Sequence, residues 1–330
     1  MRATSIAWAL VVLVGLMGCQ KTPRKAAGPP RKIRVAYTWQ PESTLVHVAM
    51  AKGYFAEEGL ETQPVMSTFG KAALQSLLDH KADFATVGET PIMFSALKGE
   101  PFRVIASFVS SNTNNGIVAR RDAGIEKGAD LKGKRIGFTP GTTSDFFLDS
   151  QLTALGLARQ AIRPVALKPE EMREAIHAKT VDAACTWNYP LTEIRRDLGA
   201  AGILFVDRDI YTENFVIAVS KDLLQKEPET AQRFLQALIR AEAFVAQHRD
   251  EAQAIVATAT KTDLGLVREV WDTFKLEVKL DQSLLITLED ETRWAMKHKL
   301  TDQTVMPDYR IFIHADSLRA AHAAAARATR

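Results

Sequence analysis

Cysteine is almost missing from this chain: Cys19 and Cys185 are its only two in 330 residues. Two such distant thiols are no disulfide framework, so the fold must stand on its apolar core. Histidine is sparse as well. The seven residues, at 47, 80, 177, 248, 298, 314 and 322, never fall at metal-ligand spacing, and no metal site is expected. Beyond residue 17 no apolar run approaches the roughly 20 residues needed to cross a bilayer. Charge of one sign is also lacking. Lys plus Arg number 42 against 39 Asp plus Glu, a net +3 that offers no basic stripe for nucleic acid. There is no Gly-x-Ser-x-Gly elbow, no His-Glu-x-x-His pair and no phosphate-binding Gly-Lys-Ser loop. No catalytic residue and no cofactor are therefore expected. What remains, 46% hydrophobic and 25% charged, is ordinary globular composition.

The most informative stretch is the first. Arg2 precedes a nearly unbroken apolar run over residues 6–17, followed by Gly18 and Cys19. A run of about a dozen residues has the length of a signal-peptide core, not of a membrane span. Leu16-Met17-Gly18-Cys19 resembles the lipobox of bacterial lipoproteins. The resemblance implies a signal peptide over 1–18 and a mature chain beginning at lipidated Cys19. An ordinary signal peptide or an uncleaved anchor are the alternatives, and each places the body outside the cytoplasm. Residues 19–31 then read as a flexible linker, basic at Lys21, Arg24, Lys25 and Arg31 and broken by Gly28-Pro29-Pro30. It is either a solvated spacer or a stretch that rests on anionic headgroups.

A mature chain of roughly 300 residues exceeds what one core serves well, so two lobes are expected. From residue 32, strand-like and helix-like segments alternate, which indicates α/β lobes with much parallel pairing. Ile33, Val35 and Tyr37 alternate as in a half-buried strand, and Ala73, Leu74, Leu77 and Leu78 mark a helix over 70–80. The pattern restarts at Asp130–Lys134 with a strand at 135–138 and a helix over 144–155. After Phe215–Val219 the chain is mainly helical, with Phe234, Leu235, Leu238, Ala241 and Val245 on one stripe. Two extended apolar segments, 116–120 and 215–220, are read as crossings between lobes. This divides the chain into 32–115 plus 215–330 and 116–214, with a ligand cleft between. Asn112, Asn115 and Asn214 fall at the rims of those crossings.

Several segments then become recognisable together. They are Lys52-Gly53-Tyr54-Phe55, Glu58-Gly59-Leu60, Ala82-Asp83-Phe84-Ala85, Gly88-Glu89-Thr90-Pro91, Ala96–Pro101, Asp130–Lys134, Gly141–Ser144 and Val181–Ala184. In this order, over residues 32–310, they resemble the solute-binding proteins of ABC importers for nitrate, sulfonates, taurine and pyrimidine precursors of thiamine. The resemblance implies a two-lobed periplasmic-binding-protein fold closing on a small molecule, with a membrane permease as partner and no need for a second copy of the chain.

In open α/β sheets the ligand lies beyond the carboxyl ends of the strands, which selects four loops. In the first, Trp39 offers a stacking face or packs in the core, and Gln40 offers an amide. In the second, Ser67 and Thr68 either cap the following helix or meet the ligand. In the third, Gly88-Glu89-Thr90-Pro91, Thr90 fits an N-cap and Pro91 the first helical position. Glu89 either complements the helix dipole or meets a cationic ligand group. In the fourth, Gly141 permits a close turn. Thr142, Thr143 and Ser144 present hydroxyls at a helix start, and Thr142 with Asp145 makes a capping-box-like pair. In the family this loop contributes to an anion site, which implies ligand contacts for Thr142 and Thr143; the family often carries a Trp where Trp187 stands. Glu289-Asp290-Glu291 reads as solvated helix surface. The expected function is a lipid-anchored receptor that hands a small polar or anionic solute to a permease. An enzyme on the same fold and a ligand sensor are the alternatives.

Overall fold

The computed structural model describes residues 29–328; Cys19, the apolar run before it and the linker to residue 28 lie outside the described residues. The chain begins with β1 (Arg31–Thr38), α1 (Thr44–Ala51), α2 (Tyr54–Glu57), β2 (Leu60–Ser67), α3 (Gly70–Leu78), β3 (Phe84–Gly88), α4 (Glu89–Leu97) and β4 (Phe102–Ser111). A second set follows: β5 (Asn115–Arg120), β6 (Arg135–Phe138), α5 (Thr143–Ala154), β7 (Arg163–Ala166), α6 (Met172–His177), β8 (Ala183–Trp187), α7 (Asn188–Leu198) and β9 (Gly202–Phe205). The last set is β10 (Glu213–Ser220), α8 (Lys221–Lys226), α9 (Pro228–Gln247), α10 (Arg249–Thr260), α11 (Leu264–Trp271), β11 (Lys275–Lys279), α12 (Gln282–Lys297) and α13 (Asp316–Ala328).

These strands make two sheets, ordered β11-β4-β10-β3-β1-β2 and β7-β6-β8-β5-β9. Each has a parallel half, β2-β1-β3 in one and β7-β6-β8 in the other. Each also receives one antiparallel strand directly after the chain crosses over: β10 beside β3 and β4, and β5 beside β8 and β9. The crossings themselves are residues 112–114 and 206–212. Residues 116–120 and 215–220, read above as crossings, lie inside β5 and β10. Their apolar, extended character comes from burial on both faces, the signature of central strands. Arg31, placed above in the linker, already pairs with Leu60 in β1 and donates to Glu227. Pro64 sits in β2, an edge strand, where its missing N–H costs no ladder bond.

The two parallel halves repeat one device. Arg34 near the start of β1 bonds Asp83, the residue before β3, through its backbone N–H and guanidinium, at 2.7 and 2.9 Å. Arg135 at the start of β6 does the same to Asp182 before β8, at 2.9 and 2.7 Å. Each guanidinium also donates to a carbonyl in the preceding turn, of His80 or Lys179, and both of those residues have φ of 58°. The first sheet is sandwiched by two apolar clusters. In one, Phe234 of α9 stacks on Phe84 at 4.2 Å. All five residues of the stripe read on this helix are buried. The second sheet has its own pair of clusters, one containing Cys185.

Candidate functional site

The strand ends that carry the four loops face one another across a cleft. A cavity of about 30 Å³ remains in it, walled on the first sheet's side by Glu42, Phe69, Lys71, Gly88 and Phe215. Thr142, Thr143 and Trp187 wall the opposite side, and Glu213 stands at the start of β10, just after the second crossing. Room for a water needs some 10–15 Å³ measured this way, so the cleft is nearly shut.

Gln40 holds it shut. Its Oε1 accepts from Trp187 Nε1 at 2.7 Å and from Asn188 Nδ2 at 2.9 Å, while its Nε2 donates to the Thr68 carbonyl at 3.2 Å. One amide thus ties two first-lobe loops to the start of α7. Lys71 adds a second clasp, Nζ to the Pro140 carbonyl at 2.9 Å. Close approach depends on Gly88: a Cβ there would lie 2.8 Å from Thr143 Cγ2. Gly141 turns with φ of +66°, a conformation natural to glycine.

The electrostatics are dominated by carboxyl groups. Glu42 is 4% exposed and Glu213 2%. Burial raises the Glu42 carboxyl to about 7, opposed by the Thr38 hydroxyl, which donates to its Oε1 at 2.7 Å. Burial likewise raises Glu213 to about 7, against the side-chain amides of Asn114 and Asn115, which donate to Oε2 at 2.6 and 2.8 Å. Behind them lie two further buried acids. Glu89 accepts from Tyr211 Oη at 2.5 Å and from the Asn214 N–H at 2.9 Å, and burial, then Glu291 and Glu213, push it well above the usual carboxylate range. Glu291 accepts from the Thr90 hydroxyl and is likewise raised by burial.

The structure redistributes the sequence-derived candidates. Gln40, Gly88, Thr142, Thr143 and Trp187 come together at the cleft, with Gly141 in the turn just before. Trp39 is 43% exposed and neither packs in the core nor lines the cavity. Thr68 has an exposed side chain, and only its carbonyl is used. Neither it nor Ser67 caps α3, whose backbone cap is Phe69. Helix α4 starts at Glu89 with Gly88 as its cap, two residues earlier than expected, so Thr90 and Pro91 stand inside the first turn. Thr90 is not a cap because its hydroxyl is taken by Glu291. Glu89 has both oxygens engaged in the wall and does not face the cavity. Glu291 is 0% exposed, not solvated surface, because α12 packs on α4. Thr142 and Asp145 form no capping box either. The Thr142 hydroxyl donates to the Thr139 carbonyl at 2.7 Å, and Asp145 accepts from the Gly141 N–H at 2.8 Å.

Sequence reasoning missed Glu42, Phe69, Lys71, Glu213 and Phe215. Their positions next to Gln40-Pro41, Thr68 and Asn214 were the one available signal. Among the described residues no group of His, Cys, Asp and Glu could hold a metal. A larger crevice of about 380 Å³, lined by Arg173, Asp197, Lys261 and neighbours, shares no residue with the strand-end loops, and its Arg173 and Asp197 already pair at 2.6 Å. The strand ends, not this crevice, are where α/β ligands bind.

Two α/β lobes joined by two crossings, clasped over a cavity at their strand ends, define the periplasmic-binding-protein fold. The chain belongs to the family described as NMT1/THI5 like, whose profile matches residues 40–252. A Bacillus subtilis (strain 168) protein named "Putative aliphatic sulfonates-binding protein" is 26% identical over 229 residues, 68% of each chain. A Haemophilus influenzae (strain ATCC 51907 / DSM 11121 / KW20 / Rd) protein named "Putative thiamine biosynthesis protein" is 25% identical over 235 residues, 68% of this chain and 73% of the other. Among solved structures, the periplasmic aliphatic sulphonate binding protein SsuA from Escherichia coli superposes with a TM-score of 0.75 at 19% identity, over 86% of this chain and 97% of that one.

Proposed function

We propose that this protein is the extracytoplasmic, lipid-anchored substrate-binding component of an ABC importer. It captures a small solute of the sulfonate, nitrate, taurine or pyrimidine type between its lobes and presents it to a permease. The observation that carries this reading is the cavity at the strand ends, closed by Gln40 reaching from one lobe to Trp187 of the other. Ligand binding would shift an open–closed equilibrium about the crossings at 112–114 and 206–212. Gln40, Gly88, Thr142, Thr143 and Trp187 are the proposed ligand-facing residues, joined by Glu42 and Glu213. The family membership and the names carried by its relatives support the transport role, and the Gly18-Cys19 junction supports the anchor.

Cys185, the described residues' single cysteine, gives no footing to an enzyme reading. It is fully buried, its thiol donates to the Ser144 carbonyl at 3.2 Å, and burial holds its pKa well above the usual thiol value. One experiment tests both parts of the proposal. The full chain, expressed in a bacterial host, should fractionate with membranes, and Cys19→Ser should be released as soluble protein or left as an uncleaved precursor. Both should show the same melting-temperature rise with one class among nitrate, taurine, alkanesulfonates, phosphonates and aminopyrimidines. A folded protein that none of them stabilises would remove this list of ligands, and one that turns any of them over would overturn the reading.

A further inference from the structure

The cavity is walled by acceptors of positive charge and by flat apolar faces. Of its ionisable side chains, Glu42 and Glu213 are acids, from the turn after β1 and the start of β10, and Lys71 is the one base. Lys71 offsets at most one of them: its ammonium keeps its charge while donating to the neutral Pro140 carbonyl, so the lining is net negative once both acids are ionised. The donors that serve the two acids are neutral: Thr38 and Asn188 for Glu42, Asn114 and Asn115 for Glu213. Glu213 Oε1 is turned to the cavity wall beside Gly88, whose Cβ position lies 3.5 Å away. The start of α5, which would otherwise attract an anion, has the Asp145 carboxylate folded onto the Gly141 N–H. Around the acids stand Trp187, Phe69 and Phe215. Aromatic faces bind cations and flat groups alike.

Resting on the assignment of the cleft as the solute site, we infer that the ligand presents a planar cationic nitrogen group, of amidinium or guanidinium type, to Glu42 and Glu213. A paired N–H edge matches a carboxylate geometrically as well as electrically. A sulfonate or nitrate in the same place would face two buried carboxyls with Lys71 alone to offset them. The other titratable groups around the pair are Glu89, Glu291, Tyr211, Tyr189 and Lys71; Lys71, whose pKa burial lowers, is the single cation among them. The cavity of about 30 Å³ is too small for such a group while the Gln40 clasp is made. Entry therefore requires the lobes to part.

The test is calorimetric titration and thermal shift on the full chain at pH 6 and pH 8. The probes are guanidinium and benzamidine against ethanesulfonate and nitrate. The cations should bind, and more tightly at pH 8, where both carboxyls are ionised. Glu42→Gln and Glu213→Gln should each weaken benzamidine binding about tenfold or more, the loss of one charged hydrogen bond. Both variants should melt no lower than the parent at pH 8, because each removes a buried charge; this separates lost binding from lost folding. Tighter binding of ethanesulfonate or nitrate, strengthening as pH falls, would overturn the charge assignment and leave the importer reading standing. Silence from all four probes would overturn the charge assignment, and silence in the wider solute screen above would remove that list of ligands as well.

Discussion

Glu42 shows at the scale of one residue how burial turns a side chain into a cost. Its carboxyl and that of Glu213 titrate near 7 in the fold and near 4.5 when exposed. A group whose folded pKa is raised contributes stability that is full below the unfolded value and is lost as pH rises through the folded one. Each therefore removes stability as pH rises between about 4.5 and 7. Glu89 and Glu291 are raised too and act in the same direction. His47 acts oppositely: burial lowers it from 6.5 to about 4, so it costs stability as pH falls below 6.5. It is silent above that point. The melting temperature should consequently fall from pH 5 to pH 7 in the absence of solute, His47 offsetting one acid below 6.5, and Glu42→Gln should flatten the slope. A melting temperature that is level or rising across that interval would contradict the burial of these acids.

The cleft is set at the scale of elements by how closely the end of β3 meets the start of α5. Gly88 is the contact point. Its backbone needs no special conformation, with φ of −68°, so Gly88→Ala carries no local strain. The new Cβ would instead press on Thr143 Cγ2 at 2.8 Å across the lobes. The variant should keep its melting temperature within about 1 °C yet lose solute affinity, because closure is what it obstructs. Thr143→Ser removes the obstructing methyl, so Gly88→Ala combined with Thr143→Ser should recover much of the affinity. A non-additive cycle of this kind is the mark of direct contact. If the double variant is as weak as the product of the singles, the two elements do not meet there.

These same elements show what a sequence reader can and cannot see. Alternation at Ile33, Val35 and Tyr37 and the stripe from Phe234 to Val245 are local patterns, and the strand and helix follow where expected. The start of α4 was displaced because Thr90-Pro91 has ideal capping chemistry, which tertiary packing overrode by pairing Thr90 with Glu291. Glu291 itself follows Glu289 and Asp290, and an acidic run on a helix is ordinarily solvated. Nothing in its neighbourhood announces that α12 will lay it against α4. Glu42 and Glu213 escaped for the same reason. A carboxylate has no periodicity, and its burial is decided by elements that converge from far along the chain.

For the whole molecule, the decisive quantity is the free-energy gap between parted and clasped lobes. The Arg34–Asp83 and Arg135–Asp182 devices stiffen each lobe internally and do not span the cleft. Contacts that do span it include Gln40 with Trp187 and Asn188, Lys71 with Pro140, Trp294 Nε1 with Asp149 at 2.8 Å, and Arg195 and Arg196 with Glu269. The last pairs are exposed and contribute little. Gln40 is distinctive because it makes two cross-cleft hydrogen bonds at the cavity's edge while belonging to no core. Gln40→Ala removes both, at about 0.5–1.5 kcal/mol each. This shifts the lobe equilibrium toward the open form by roughly five- to 150-fold. Small-angle scattering without solute should report a larger radius of gyration than for the parent, and solute should restore compactness only at higher concentration. The melting temperature should barely change, since neither lobe's core contains Gln40. An unchanged radius of gyration, with affinity lost all the same, would make Gln40 a simple ligand contact and would shift the weight of closure onto Lys71 and Trp294.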